Sequence, residues 1–481
     1  MLQINRSSLV IENNLIIVPL VTLTVAITVL LVNYLLIGVA AIVISLLILL
    51  YGERFLIGLI IVTLLTIVSE FGSTIRLFVQ ITNFSLLGFL FFKHYGFNFS
   101  EYPKLPRTLI YFLYIYYVSM IVPTIFSQHF FAGITMIVRQ TIFFIIAYIF
   151  FSFIKDIKYV KTIIISLIVV SLIIALSSIY QFYDGGFNLV DVALGMRHRI
   201  ASIISNPLKA TTFFILTIPL VLTFGFSNKY KDNKKIFLFI SSILLIGLLL
   251  IISRSAILVI FLSLMFIIHQ LNKNWFKKSI IIMFILALLF FLIEPIYDSI
   301  SLLFKIKIGL SQRDYFWEMA FNVIKDNPII GIGPGSFSYE VFNYSPVLLD
   351  SWPGRVIIDL YMATEGENPS HNIFLKFASD MGVPGIVSIL YFTLLYFKIV
   401  NRTLTKAKGG NQEYYLIILA ISAAAGSLFI RGLFDSIGIL TYGIVVNDLP
   451  FWLWFSIIIF FYQQPEEYFN SEEATGKVLL K

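Results

Sequence analysis

Apolar runs of roughly 15 to 20 residues, each closed by a short polar stretch, recur from Asn14 almost to the end of the chain. A helix needs roughly 20 apolar residues to cross the hydrocarbon core, and fewer where the bilayer thins or flanking side chains snorkel. The pattern therefore predicts an all-α polytopic membrane protein. Its transmembrane helices are expected at residues 14–32, 34–51, 55–69, 76–92, 107–125, 133–154, 161–180, 209–226, 236–252, 254–270, 279–296, 385–399, 414–432 and 449–463. The third, fourth and twelfth runs are short, so the expected count is 12 to 14. The first run, from about Leu15, is followed by no small-residue cleavage site and is expected to be a retained helix. These runs divide the chain into helices 1–11 (residues 1–296), a long extracytoplasmic loop (297–384), helices 12–14 (385–463) and a cytoplasmic tail (464–481).

Within the loop the periodicity changes. Ser311 followed by Asp314 is a capping pattern that predicts a helix from about Gln312. Phe316, Trp317, Ala320, Phe321 and Ile324 recur at helical spacing, as a stripe to lay on the membrane surface or on neighbouring spans. The Asp-Asn-Pro sequence ending at Pro328 closes that helix. "GIGPGSF", residues 331–337, has neither a preceding strand nor a lysine, so it reads as a tight turn rather than a phosphate cradle. Further on, Ser370 is the expected cap of a second short helix, with His371 its first residue and Gly382 just past its end.

Composition agrees with the membrane reading, at 59% hydrophobic and 12% charged residues and a mean hydropathy of +0.94. The absence of cysteine rules out disulfides and thiolate chemistry. Charge orients the chain. Arg54 and the loops "KHYGFNFSEYPKLPR", "KDIKYVK", "NKYKDNKK", "NKNWFKK" and "KIVNRTLTKAK" alternate along the fourteen spans. Together with both termini they carry 17 Lys and 4 Arg, against 4 Lys and 9 Arg on the other face. The lysine-rich face is expected to be cytoplasmic. Arginine dominates the outer face, and its planar fork suits phosphate or carboxylate. Some of these arginines are expected to pair with outer acids such as Asp350 and Asp359. Arg254, in "LLIISRSAILVI", has no acid near it in sequence, and a charge at such depth points to function. Arg313 lies in the first turn of a predicted helix, where the unpaired N–H groups favour an anion. His371, one of five histidines, would be kept neutral by a helix N-terminus and so able to accept a proton, or it would merely bond local backbone.

These residues carry a resemblance. "HNIFLKFASDMGVPG" is similar to the outer-loop signature of the bacterial O-antigen ligase and polysaccharide polymerase family. "RDYFWEMAFNVIKDNPIIGIGPGSF" resembles the same family's arginine, tryptophan and "P-x-x-G-x-G-x-G-x-F" segment, and "SRSAIL" its Ser-Arg motif. "RHRIASIISNP" is a looser match to its Arg…Asn-Pro loop, departing at Ser202 where a glycine is expected. The specific part covers about residues 195–400.

The resemblance implies an inverting, metal-independent glycosyltransferase without cofactor. It would move a glycan from undecaprenyl diphosphate to an acceptor hydroxyl on a glycan or lipid-linked saccharide, at the outer face of the cytoplasmic membrane. By carry-over, Arg254, Arg313 and Arg199 would hold the diphosphate and His371 would be the base. Its partners would be these substrates and membrane lipids, with no nucleic acid. Fixed arginines suit a diphosphate leaving group, and no carboxylate cluster beyond the Glu365/Glu367 pair suggests a cation site. A polysaccharide flippase or exporter is the alternative. It would be expected to show internal repeats, and none is visible. Ligase and polymerase share these motifs. The chain's length and span count lean toward polymerisation.

Overall fold

The computed structural model describes residues 52–66, 73–186, 200, 202–204, 206–292, 313–340, 342–347, 351, 354–355, 358 and 370–470. The first two expected spans, Arg199, and residues 365–367 lie outside the described residues. All regular elements among the described residues are helical. They are α1 (Glu53–Thr66), α2 (Ser73–Tyr95), α3 (Arg107–Phe126), α4 (Phe130–Phe153), α5 (Ile157–Asp184), α6 (Pro207–Phe226), α7 (Lys234–Ile251), α8 (Arg254–Leu271), α9 (Lys273–Leu292), α10 (Arg313–Asp326), α11 (Phe337–Glu340), α12 (Ile373–Ala407), α13 (Gln412–Arg431), α14 (Val445–Gln463) and α15 (Glu466–Asn470).

Ten of the described helices, α2–α8 and α12–α14, are long and apolar enough to cross a membrane. The third and eleventh expected spans coincide with α1 and α9. With 14 residues, α1 extends only about 21 Å at the helical rise, short of a core of roughly 30 Å.

Several starts follow directly from side chains. Asp156 caps α5 by accepting from the backbone N–H groups of Lys158 and Tyr159, and Asn206 caps α6 through those of Leu208 and Lys209. Pro207 takes the first helical position, where its missing N–H costs nothing. The centre of the bundle is α6, α13 and α14, with 83%, 83% and 89% of their apolar stretches buried, against 22% for α2. Close packing and a few interhelical hydrogen bonds hold these helices together, as expected where lipid removes the hydrophobic drive. Phe392 of α12 stacks on Phe112 of α3 at 4.4 Å and on Trp452 of α14 at 5.5 Å between ring centres. The Trp454 indole donates to the Leu216 carbonyl at 3.1 Å, and Tyr396 donates to that of Ser422 at 2.8 Å.

Short connections make successive spans antiparallel. The starts of α4, α6, α8, α12 and α14 thus gather at one end with the finishes of α3, α5, α7 and α13. The segment containing α10 and α11 covers that end, where Ser127 donates to the Ile332 carbonyl at 2.5 Å. A second anchor is His129, bonded to Glu340 at 2.7 Å and stacked on Tyr339 at 4.8 Å. The amide of Asn343, seconded by His129, holds the Glu340 carboxyl below its ordinary range.

Candidate functional site

The site is built around the start of α12. Asn372, not Ser370, caps the helix. Its backbone is extended, and its Oδ1 accepts from the N–H groups of Phe374 at 2.9 Å and Leu375 at 3.1 Å. Ser370 instead turns its hydroxyl onto the Asn372 carbonyl at 3.0 Å. His371 therefore precedes the helix rather than opening it, in the left-handed conformation at φ 50°. The same end is pinned to the finish of α13: the Ile373 N–H donates to the Gly432 carbonyl at 2.8 Å and the Asn372 amide to that of Leu433 at 3.0 Å. Asn372 is spent on capping and docking, which leaves His371 as the side chain free for chemistry.

Phe316 meets the His371 imidazole edge to face at 5.3 Å. Nδ1 is buried with no hydrogen-bond partner. Burial lowers the imidazole pKa, Asp435 opposes that shift, and Arg313 adds to it. Desolvation thus does what a helix dipole was expected to do, and the ring is neutral near pH 7.

Arg313 opens α10. The buried face of α10 is Phe316, Met319, Ala320 and Val323, and it packs with Phe337, Ile332, Phe342 and Leu375 in a small core of its own. The expected stripe held Phe321 as well, but Phe321 is 58% exposed. The chain folds back over the Met319–Val323 face, and so rotates the buried stripe away from Phe321. Trp317 donates its indole N–H to the His371 carbonyl at 3.4 Å, which draws α10 and Arg313 toward the imidazole.

Arg254 reaches the same end of the bundle by a separate route. Ile252 closes α7 in the left-handed conformation at φ 51°, and Ser253 leads into α8 with Arg254 its half-buried first residue. The structure thus brings His371, Arg313 and Asp435 within electrostatic range of one another and places Arg254 at the same end, on the α7–α8 turn.

Asp435, the acidic group nearest in role to His371, is paired with Arg431 four residues before it. Arg431 Nη2 lies 3.1 Å from Asp435 Oδ2, and both side chains are fully buried. Arg431 also donates to Thr212 Oγ1 at 2.7 Å, Thr211 Oγ1 at 3.1 Å and the Leu208 carbonyl at 2.6 Å. It thereby ties the first turn of α6 to the finish of α13. The second carboxylate oxygen, Oδ1, is buried without a partner.

Just before α6, Ser202 has φ 58°. This is the conformation that favours glycine, and it gives the physical sense of a glycine there. Serine holds the same turn because Gln181 accepts from its N–H at 2.9 Å and its own hydroxyl accepts from the Ile204 N–H at 3.3 Å.

"GIGPGSF" is a strap. The Ile332 N–H donates to the Ser379 carbonyl at 3.0 Å and the Gly333 N–H to that of Asp380 at 2.8 Å, while the Val383 N–H returns a bond to Pro328 at 3.2 Å. A Cβ at Gly331 (φ 76°) would meet the Asp380 carbonyl carbon at 2.6 Å, and one at Gly382 (φ 60°) would collide with the Ile329 carbonyl oxygen. The glycine run and the Gly-x-x-Gly following His371 are two halves of one backbone contact. Among the described residues no three or more His, Cys, Asp or Glu side chains gather as a metal site requires.

What spacing alone did not reveal is the pairing of elements around the imidazole. Phe316 and Trp317 lie 55 and 54 residues before His371 in the sequence, and Asp435 lies 64 residues after it. Residues 239–390 match the model of the family described as O-antigen ligase. No curated protein matches the chain.

Proposed function

Taking residues 239–390 as an O-antigen ligase family domain, we propose that this membrane glycosyltransferase moves a glycan from undecaprenyl diphosphate to an acceptor hydroxyl. The observation that carries the reading is a buried imidazole whose Nδ1 has no hydrogen-bond partner, with Arg313 and Asp435 both in electrostatic range of it. His371 takes the proton of the acceptor hydroxyl. The acceptor oxygen forms a bond to the anomeric carbon as the bond from that carbon to the phosphate oxygen breaks, which inverts the centre. The lipid diphosphate leaves with the bonding pair, and its charge falls to Arg254 and Arg313, with Arg199 as the third candidate. Arginine forks can neutralise such a leaving group without reorganising in the transition state. The site faces the outer side of the cytoplasmic membrane, where lipid-linked donor and a glycan or lipid-linked acceptor meet. The reaction uses no metal ion and no cofactor.

Transfer from lipid-linked donor by the purified protein in detergent, without a gradient and with excess EDTA, tests this reading. Turnover is expected under those conditions. Arg254→Lys and Arg313→Lys keep the charge but lose the fork, so each should insert normally and transfer far more slowly. No transfer in detergent would favour a transporter, and wild-type turnover in both lysine variants would remove the diphosphate role.

A further inference from the structure

Tyr442, between α13 and α14, has no part in the chemistry above, yet three side chains from two helices, α4 and α12, converge on it. It is 3% exposed and holds the left-handed conformation at φ 53°, which costs a bulky residue free energy that its surroundings must offset. Its hydroxyl donates to Asp380 Oδ2 at 2.6 Å. Its carbonyl accepts from Arg139 Nε of α4, also at 2.6 Å. Lys376 of α12 sits 4.0 Å over its ring. At the next residue, Gly443 (φ 77°), a Cβ would meet the Arg139 carbonyl oxygen at 2.5 Å, so the turn is pressed onto α4.

Asp380 is the other half of the unit. It is 1% exposed, and the oxygen that accepts from Tyr442 also accepts from the Gly335 N–H at 3.2 Å. Gly335 belongs to the strap, and the strap shares a core with α10 through Ile332 and Phe337. The segment carrying Arg313 therefore hangs from α12 at two places, near His371 through Trp317 and nine residues later through the strap. At the second place Asp380 supplies a side-chain bond to the strap, and Tyr442 orients that carboxylate.

We propose that Tyr442, acting through Asp380, is a positioning residue for the transfer: it seats the strap and α10 so that Arg313 stands at its working distance from His371. This rests on the diphosphate role given to Arg313. The pair touches no substrate, so it is not catalytic. Its effect must pass through Arg313 and need not pass through Arg254, which stands on a different turn.

A double-mutant cycle in the full-length protein tests this, with single-turnover transfer as the readout. Tyr442→Phe keeps the ring under Lys376 and removes only the hydroxyl. It should slow transfer by between about 10- and 100-fold, the scale of a lost bond to a charged acceptor or a small misplacement of a binding group. Combined with Arg313→Lys the losses should not multiply. Combined with Arg254→Lys they should. Asp380→Asn is the second variant, expected to show the same pattern if Tyr442→Phe does not fold. A wild-type rate in Tyr442→Phe, or losses that multiply with both arginine variants, would overturn the inference. Arg313→Lys at the wild-type rate would instead remove the diphosphate role on which it stands.

Discussion

Trp317 donates its indole N–H to the backbone carbonyl of His371 at 3.4 Å, joining the helix that begins with Arg313 to the residue placed as the base. Two chain segments more than fifty positions apart meet at that bond, and the ring of Phe316 closes the same contact from the imidazole side. Trp317→Phe keeps the aromatic body and deletes the donor. A hydrogen bond of this kind is worth on the order of 1 kcal/mol, so transfer should fall roughly 2- to 10-fold with insertion unchanged. Steady-state transfer per inserted protein checks it, and an unchanged rate would show that His371 is held without Trp317.

The surroundings of the imidazole set a pH dependence with a definite sign. Burial lowers the His371 pKa, so the base is protonated and lost only on the acid side, below the ordinary value of about 6.5. The rate should fall as pH falls through that shifted value. Arg313 lowers the His371 pKa further and Asp435 raises it. Arg313→Gln should therefore move the acid limb to higher pH and Asp435→Asn to lower pH. Limbs that move the other way, or stay fixed in both variants, would show that these groups do not act on the imidazole.

The strap makes a prediction about backbone rather than side chains. Alanine at Gly382 would need φ near 60° with ψ near −147° and would drive its Cβ into the Ile329 carbonyl. The cost is at least about 1–3 kcal/mol, and Gly382→Ala should lose folded protein as well as transfer. Gly88→Ala is the control, since a Cβ there meets nothing within 4 Å. Thermal unfolding in detergent distinguishes the two, and equal midpoints would argue against the strap contact.

Much of this architecture was legible in the sequence, and the misses have physical causes. Among the described residues, apolar runs located most of the spans to within a few residues, because lipid demands long uninterrupted helices. The twelfth expected span, 385–399, lies within the second part of α12, after the break at Gly382 (φ 60°, ψ −147°), the glycine expected just past the end of the short helix that opens behind His371. Ser370 and Asn372 are equally good caps by type, and only the extended backbone at Asn372 decides between them. The Arg431–Asp435 pair was readable from its four-residue spacing. The meeting of Tyr442 with Asp380, 62 positions apart, was not, because nothing local records it.

Ser202 tests how far a departure from an expected glycine matters. A left-handed backbone at φ 58° costs a residue with a side chain roughly 1–2 kcal/mol, which the Gln181 bond helps to offset. Ser202→Gly should leave transfer and stability close to wild type. Ser202→Val, branched at Cβ and unable to accept from the Ile204 N–H, should lower the unfolding midpoint clearly. Equal behaviour of the two variants would mean that this turn is not held in the left-handed region.

The assignment of the base is tested most directly by single-turnover transfer with saturating donor, comparing His371→Ala with Asp435→Asn. General-base catalysis is typically worth about 10²–10⁴-fold, so His371→Ala should lose a rate of that order while donor binding stays nearly intact. Asp435→Asn should retain measurable transfer, because Asp435 acts on the imidazole and is already paired with Arg431. Wild-type transfer by His371→Ala together with an inactive Asp435→Asn would contradict the account and hand the proton to the aspartate.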